Sequence, residues 1–480
     1  MPEARVVPNT ITYNAAISAC EKASQWQLAL QLLSLMPEAR VVPNEITYNA
    51  AISACKKGGQ WQLALTLLGL MPETRVVPNA ISYNAAISAC KNEGRWQLAL
   101  HLLSMMPEAR VVPNAITYSA VISACSNGKQ WQLALNLLSQ MPEARAVADE
   151  ITYNAAISAC SNVGQWQLAL NLLSLMPEAR VVSDEITYNS AISACQWQLA
   201  LTLLSLMPEA KVVPDEITYS ASICACSTGG QWQLALALLS LMPEVKVVPN
   251  TITCNAAISA CEKGGQWKPA LNLLSMMPEA RVVPDEITYN AAISACEKRV
   301  QWQLALSCLS LMPESRVGQS AMTYNAAISA CEKGGQWQMA LNLLSVMLEV
   351  RLVPGTITYN AAISACEKGG QWQLALNLLS RMPLARVVPN EISYNAAISA
   401  CEKGAQWQAA LNLLSVMPVV RLDPDQISYN AAISACEKGG QWQMALNLLS
   451  LMPEARVVPD EITYNAAISA CERAASSSWY

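Results

Sequence analysis

The phrase ITYNAAISAC, or a close variant of it, returns along the whole chain, and successive copies lie 35 residues apart in all but one interval. A fixed period of a few tens of residues marks a repeat array, in which each unit is a small supersecondary element that buries its apolar face only against its neighbours. Complete repeats start at Thr10, Glu45, Ala80, Ala115, Glu150, Glu185, Glu216, Thr251, Glu286, Ala321, Thr356, Glu391 and Gln426. Residues 1–9 read as the tail of a repeat, 10–184 as five repeats, 185–215 as a shortened irregular repeat, 216–460 as seven repeats, and 461–480 as a terminal half repeat and tail. The period therefore replaces the two to four globular domains that 480 residues would otherwise suggest.

Within a repeat, Tyr13, Ile17 and Cys20 fall at i, i+4 and i+7, the apolar face of a helix running from about Ile11 to Lys22. A break such as Gly58-Gly59 follows. A second helix then runs from Trp61 to Met71, with Trp61, Leu65, Leu68 and Met71 on its packing face. Pro72 is expected to stop it, and Pro78-Asn79 to turn the chain into the next repeat. Stacked helical hairpins of this kind predict an all-α fold, a right-handed superhelical solenoid with a long concave surface. The tryptophans at 26, 61 and later equivalents are expected to pack between elements, and Pro269 to be tolerated in a first helical turn. The sixth repeat lacks four residues between Cys195 and Gln196, so a kink or a fused helix is expected there.

Composition narrows the function. Hydrophobic residues make up 53% and charged residues 14%, enough apolar surface for a continuous core and too little charge for a disordered chain. No apolar run is long enough to span a membrane. The formal net charge of -5 argues mildly against a polyanionic partner, although a total does not locate charge on one face. Of 17 cysteines, 14 recur at one repeat position, as Cys20, Cys55 and Cys90 do, which is the pattern of small buried hydrophobes rather than of a disulfide framework. The segment MPEARVVPN at the start matches repeat tails such as 452–460, so the array is expected to extend upstream of Met1.

With Tyr13 at zero and ~100° per residue, Ile11, Asn14, Ser18 and Lys22 gather on a second stripe, roughly 100–180° round the helix. The stripe offers an aliphatic wedge, an amide, a hydroxyl and a cation in most repeats. An amide both donates and accepts, which suits the Watson–Crick edge of an unpaired base, and a lysine can neutralise phosphate. The competing structural reading is an Asn that satisfies backbone groups near the helix start.

The 35-residue spacing, the ITYN opening, the Gly-containing turn, the A-L-x-L-L-x-x-M second helix and the V-x-P-[ND] ending together resemble the pentatricopeptide repeat family over positions 10–475. Tetratricopeptide repeats have a different period and place Trp and Gly early in their first helix. The resemblance implies a P-type array that binds single-stranded RNA in a chloroplast or mitochondrion, one base per repeat, for RNA processing, stabilisation or translation. It implies that the fifth residue of each repeat meets the base: Asn14, Asn49, Asn84, Ser119, Asn154, Asn189, Ser220, Asn255, Asn290, Asn325, Asn360, Asn395 and Asn430. The last residue of the repeat assists it: in the same order Asn44, Asn79, Asn114, Asp149, Asp184, Asp215, Asn250, Asp285, Ser320, Gly355, Asn390, Asp425 and Asp460. The family's pairing rules imply a pyrimidine-rich target resembling 5'-YYYGU(U)AUCYYUU-3', Y being either pyrimidine, the bracketed base belonging to the shortened repeat, and Gly355 leaving its base weakly specified. The phosphate-contacting cations it implies are Lys22, Lys57, Lys263, Lys298, Lys333, Lys368, Lys403 and Lys438, whereas Asn92, Asn127, Asn162 and Thr228 interrupt the row.

A zinc deaminase domain, present in some family members, needs a His-x-Glu and a Cys-x-x-Cys cluster. The one histidine, His101, stands where other repeats carry Asn, Thr or Gln, and Cys224 with Cys226 does not complete a metal site. The sequence therefore predicts no catalytic residue, no metal and no cofactor. Two other readings remain open beside RNA binding: a scaffold for protein partners, in which the Asn ladder pairs with an extended peptide, and a recently amplified array with little function.

Overall fold

The computed structural model describes residues 8–91 and 93–477. Residues 1–7, most of the expected partial repeat, lie outside the described residues, as do Asn92 and 478–480. Among the described residues the chain forms 27 helices and no strand, an all-α helical-repeat solenoid. It divides into two compact blocks, one up to Gly229 and one from Gly230, so that the division falls in the turn of the seventh repeat. No helix among the described residues is long and apolar enough to cross a membrane.

The second repeat shows how the sequence makes a hairpin. Its first helix, Glu45–Lys57, starts at Asn44, whose side chain accepts the Thr47 N–H while the Thr47 hydroxyl accepts the Asn44 N–H, a reciprocal capping box. Tyr48, Ala51, Ile52, Ala54 and Cys55 are buried along this helix. The small side chains let the first helices of successive repeats pack against one another as well as against their own second helices. Gly58 then lies against Trp26 of the preceding repeat, so close that a Cβ there would meet the indole, and Gly59 adopts φ +70°. The glycine pair thus serves close approach at its first position and a left-handed turn at its second.

The second helix, Trp61–Glu73, differs from expectation in two respects. Ala64, Leu67, Leu68 and Met71 are its buried residues, while Trp61 and Leu65 are only half-buried. Nor does Pro72 stop the helix, which runs on to Glu73. The stop comes from Arg75 at φ +59°, where Val76 N–H donates to Met71 O at 2.8 Å and Arg75 N–H to Pro72 O at 3.0 Å, a Schellman closure. An Arg or Lys takes this left-handed position in every repeat from Arg40 to Arg456, a cation where the helix carries its negative end.

The sixth repeat departs from the expected kink or fusion. Its helices, Glu185–Ala194 and Trp197–Leu206, remain separate. The first helix gives up its last turn, and Cys195 and Gln196 both take extended backbone, with ψ 158°, to complete the reversal. Pro269 lies in the first turn of Trp267–Met276, beside a stretched Ala270 N–H to Gln266 O bond of 3.4 Å.

Candidate nucleic-acid interface

In eight repeats the last residue has two tasks. It is the N-cap of the following helix: Asp184 accepts the Thr187 N–H at 2.9 Å, and Asn44 the Thr47 N–H at 3.1 Å. The same oxygen also accepts an N–H from the fifth residue of its own repeat. Asn14 donates to Asn44 at 3.2 Å, Asn154 to Asp184 at 3.1 Å, Asn255 to Asp285 at 3.0 Å, and Asn430 to Asp460 at 3.2 Å. Asn84–Asn114, Asn189–Asp215, Asn360–Asn390 and Asn395–Asp425 are joined in the same way. The two sets of residues singled out in the sequence are therefore brought into contact in these eight repeats.

A third residue, missed in the sequence, completes the arrangement. The buried hydroxyl at the third position of the next repeat donates to the fifth residue's carbonyl: Thr47 to Asn14 at 2.5 Å, Ser82 to Asn49 at 2.6 Å, Thr358 to Asn325 at 2.6 Å. Each fifth-position amide held on both sides keeps one N–H and one carbonyl lone pair unused. The signal was present as an unbroken Thr or Ser at that position, from Thr12 to Thr463.

Other pairs are not joined. Asn79 donates to Glu45 instead of meeting Asn49. Among the described residues no hydrogen bond links Ser119 with Asp149, and Gly355 has no side chain to offer Asn325. Among the described residues no hydrogen bond links Ser320 with Asn290, whose Oδ1 is buried without a partner, as is Asn189 Oδ1.

The carboxylates at repeat ends feel this network. Burial pulls the Asp184 carboxyl upward, but hydrogen bonds from the Thr187 hydroxyl, the Thr187 N–H and the Asn154 amide outweigh it and hold Asp184 below the usual carboxylate range. Asp215 and Asp285 are lowered in the same way.

Flanking the fifth residues is a row of exposed isoleucines, Ile46 at 60% and Ile151 at 62% among them. In the first block, Ile151 and Ile186 bound a cleft of about 270 Å³ that also exposes Asn154, Asp184 and Asn127. An adjoining cleft of about 290 Å³ holds Asn189 between Ile186 and Ile217. An apolar wall on either side and a polar floor suit a flat, unpaired base.

The lysines singled out at the end of the first helix are tied across repeats. Lys57 pairs with Glu21 at 3.4 Å, Lys298 with Glu262 at 3.0 Å, Lys333 with Glu297 at 2.8 Å, and Lys368 with Glu332 at 2.7 Å. Lys403–Glu367 and Lys438–Glu402 continue the ladder. Among the described residues no ion pair is present at Lys22 or at Lys263, opposite which the preceding repeat carries Ser227 in place of Glu. Asn127 and Asn162 replace the ionic tie by a neutral one, donating to Lys91 O at 2.8 Å and Ser126 O at 3.3 Å.

The cysteines of the repeat position are buried up to Cys436, and burial pushes thiols such as Cys55 and Cys401 up to about 11. His101 and Cys224 are exposed. Among the described residues no group of three or more His, Cys, Asp or Glu side chains could hold a metal ion.

Fold and site together define a helical-repeat array with a polar ladder along its first helices. The model of the PPR repeat family matches residues 8–57, 43–91, 78–127, 148–196, 249–298, 354–403 and 424–473. The pentatricopeptide repeat domain model matches 202–264 and 312–369, and the PPR repeat model 116–145 and 287–317. The chain belongs to the PPR repeat family. No curated protein sequence matches it. Among solved structures, the pentatricopeptide repeat protein PPR10 from maize is similar with a TM-score of 0.61 at 21% identity, over 99% of this chain and 73% of that one. PPR10 in complex with an 18-nt psaJ RNA element gives a TM-score of 0.49 at 20% identity, over 97% of this chain and 82% of that one.

Proposed function

We propose that the chain binds single-stranded RNA, one base per repeat, and acts by occupying its target in organellar RNA processing, stabilisation or translation, with no reaction of its own. The observation that carries this reading is the slot bounded by Ile151 and Ile186, with Asn154 and Asp184 at its floor. A flat base fits between aliphatic walls, and the remaining N–H and lone pair of the Asn face its edge.

The chemistry of the last residue supports the pairing rules implied by the family. Asp carries only acceptors, so it favours bases with an imino N–H on the Watson–Crick edge, U and G. Asn also donates, which suits the unprotonated ring nitrogen of C and A. An Asn at the fifth position then favours a pyrimidine, and a Ser, as at Ser119 and Ser220, leaves room for a purine. The expected target is 5'-YYYGU(U)AUCYYUU-3'.

Binding of the purified chain to this 13-nucleotide RNA, to a shuffled strand and to a duplex, each titrated with salt, tests the reading. Tight binding to the expected strand alone supports it. Equal, weak binding to all three overturns it and favours a scaffold for extended peptides, to which the same Asn amides could donate and accept.

A further inference from the structure

The fourth residue is Tyr in every repeat but one, the eighth, where Cys254 replaces it. Two neighbouring repeats show where the ring belongs. The Tyr289 hydroxyl lies 2.8 Å from that of Ser315, the thirtieth residue of its own repeat. The Tyr324 hydroxyl donates at 2.7 Å to Gln319, the thirty-fourth residue of the repeat before. In the eighth repeat the corresponding residues are Ala280 and Pro249. With Cys254 they line a cleft of about 310 Å³ whose other walls include Leu236, Leu239, Leu273 and Met277. Here the groove between neighbouring second helices, present also beside Leu341 and Leu378, opens onto the place of the missing ring.

We infer that this cleft is a binding site for a small uncharged aromatic molecule of the size of the absent side chain. An apolar space of this kind is filled more readily by an apolar ring than by water, which would lack hydrogen-bonding partners on its walls. A thiol makes favourable contacts with a ring edge, and burial raises the Cys254 thiol, which keeps it neutral. Ala280 and Pro249, like the Ala and Pro that most repeats carry at these positions, offer no side-chain hydrogen bond, so a ring needs no polar substituent to fill the site. The inference does not depend on RNA binding.

The probe is 4-fluorotoluene, followed by its fluorine resonance as the full-length chain is added. A saturable shift with the natural chain, absent in Cys254→Tyr, is expected. At ten times the dissociation constant, the ligand should raise the melting temperature by about 3 °C. In the natural chain alone, the ligand should also slow alkylation of Cys254 severalfold, read by mass spectrometry, without slowing that of exposed Cys224. No saturable shift, an equal shift with Cys254→Tyr, or equal effects on both thiols overturns the inference.

Discussion

Thr187 lies fully buried beneath Asn154 and donates its hydroxyl to the Asn154 carbonyl at 2.5 Å, while accepting the Asp184 N–H at 3.2 Å. One hydroxyl thus caps its own helix and holds the fifth residue of the preceding repeat. Thr187→Val keeps the shape and removes both bonds, so it is expected to destabilise the first block by about 1–3 kcal/mol in urea unfolding. Thr187→Ser should restore most of the loss, because Ser82 and Ser393 already play this part. An unchanged midpoint for Thr187→Val would show that the hydroxyl contributes nothing.

Val300 is a β-branched residue at φ +61°, where the equivalent Gly335 and Gly370 sit at +68° and +66°. Such a side chain is strained in left-handed backbone, and its N–H is already committed to Glu297 O at 3.1 Å. Val300→Gly should therefore stabilise the second block by about 1 kcal/mol, despite the greater freedom of glycine in the unfolded chain. Thermal unfolding checks the sign.

The lowered carboxyls of Asp184, Asp215 and Asp285 contribute stability that is fully present well above the ordinary carboxylate value of about 3.9. It is lost as pH falls through their lower folded values, since the unfolded chain takes up protons first. Changing all three to Asn retains the caps and removes these titrations. The triple variant should lose stability less steeply below about pH 4 in circular dichroism titrations than the natural chain.

On the proposed RNA-binding reading, the cross-repeat ion pairs should bear on affinity more than on folding. Lys368 is 40% exposed in its pair with Glu332, so Glu332→Gln should change stability by less than about 1 kcal/mol. Release of Lys368 from its carboxylate should strengthen binding to the expected RNA, by up to roughly fivefold. Replacing Lys298, Lys333 and Lys368 with Met together should lower the slope of log affinity against log salt by about 2. A slope unchanged in the triple variant would remove these lysines from the interface.

The period, the all-helical class and the apolar positions Tyr48, Ile52 and Cys55 were legible because each depends on local spacing repeated many times. The Thr47–Asn14 contact was not, because it joins residues 33 apart on different repeats, and a helical wheel of one repeat contains only one partner. The same holds for Lys333, whose Glu297 belongs to the preceding repeat although Glu332 adjoins it in sequence. Pro72 misled for another reason: a proline removes one N–H, but near the end of a helix the left-handed residue sets the stop. In the sixth repeat, the ability of a helix to shed its last turn absorbed the deletion.

The identity of Asp184 as both N-cap and partner of Asn154 links how the array can vary to how it folds. Asn, Asp and Ser are the residues that cap a helix about equally well, and they are also the residues that change which hydrogen-bonding face is offered beside the fifth position. On the proposed reading, a single substitution among the three would therefore alter what a repeat recognises while leaving its helix start nearly as stable. Drift at this position would then explore new recognition without passing through misfolded intermediates, one repeat at a time.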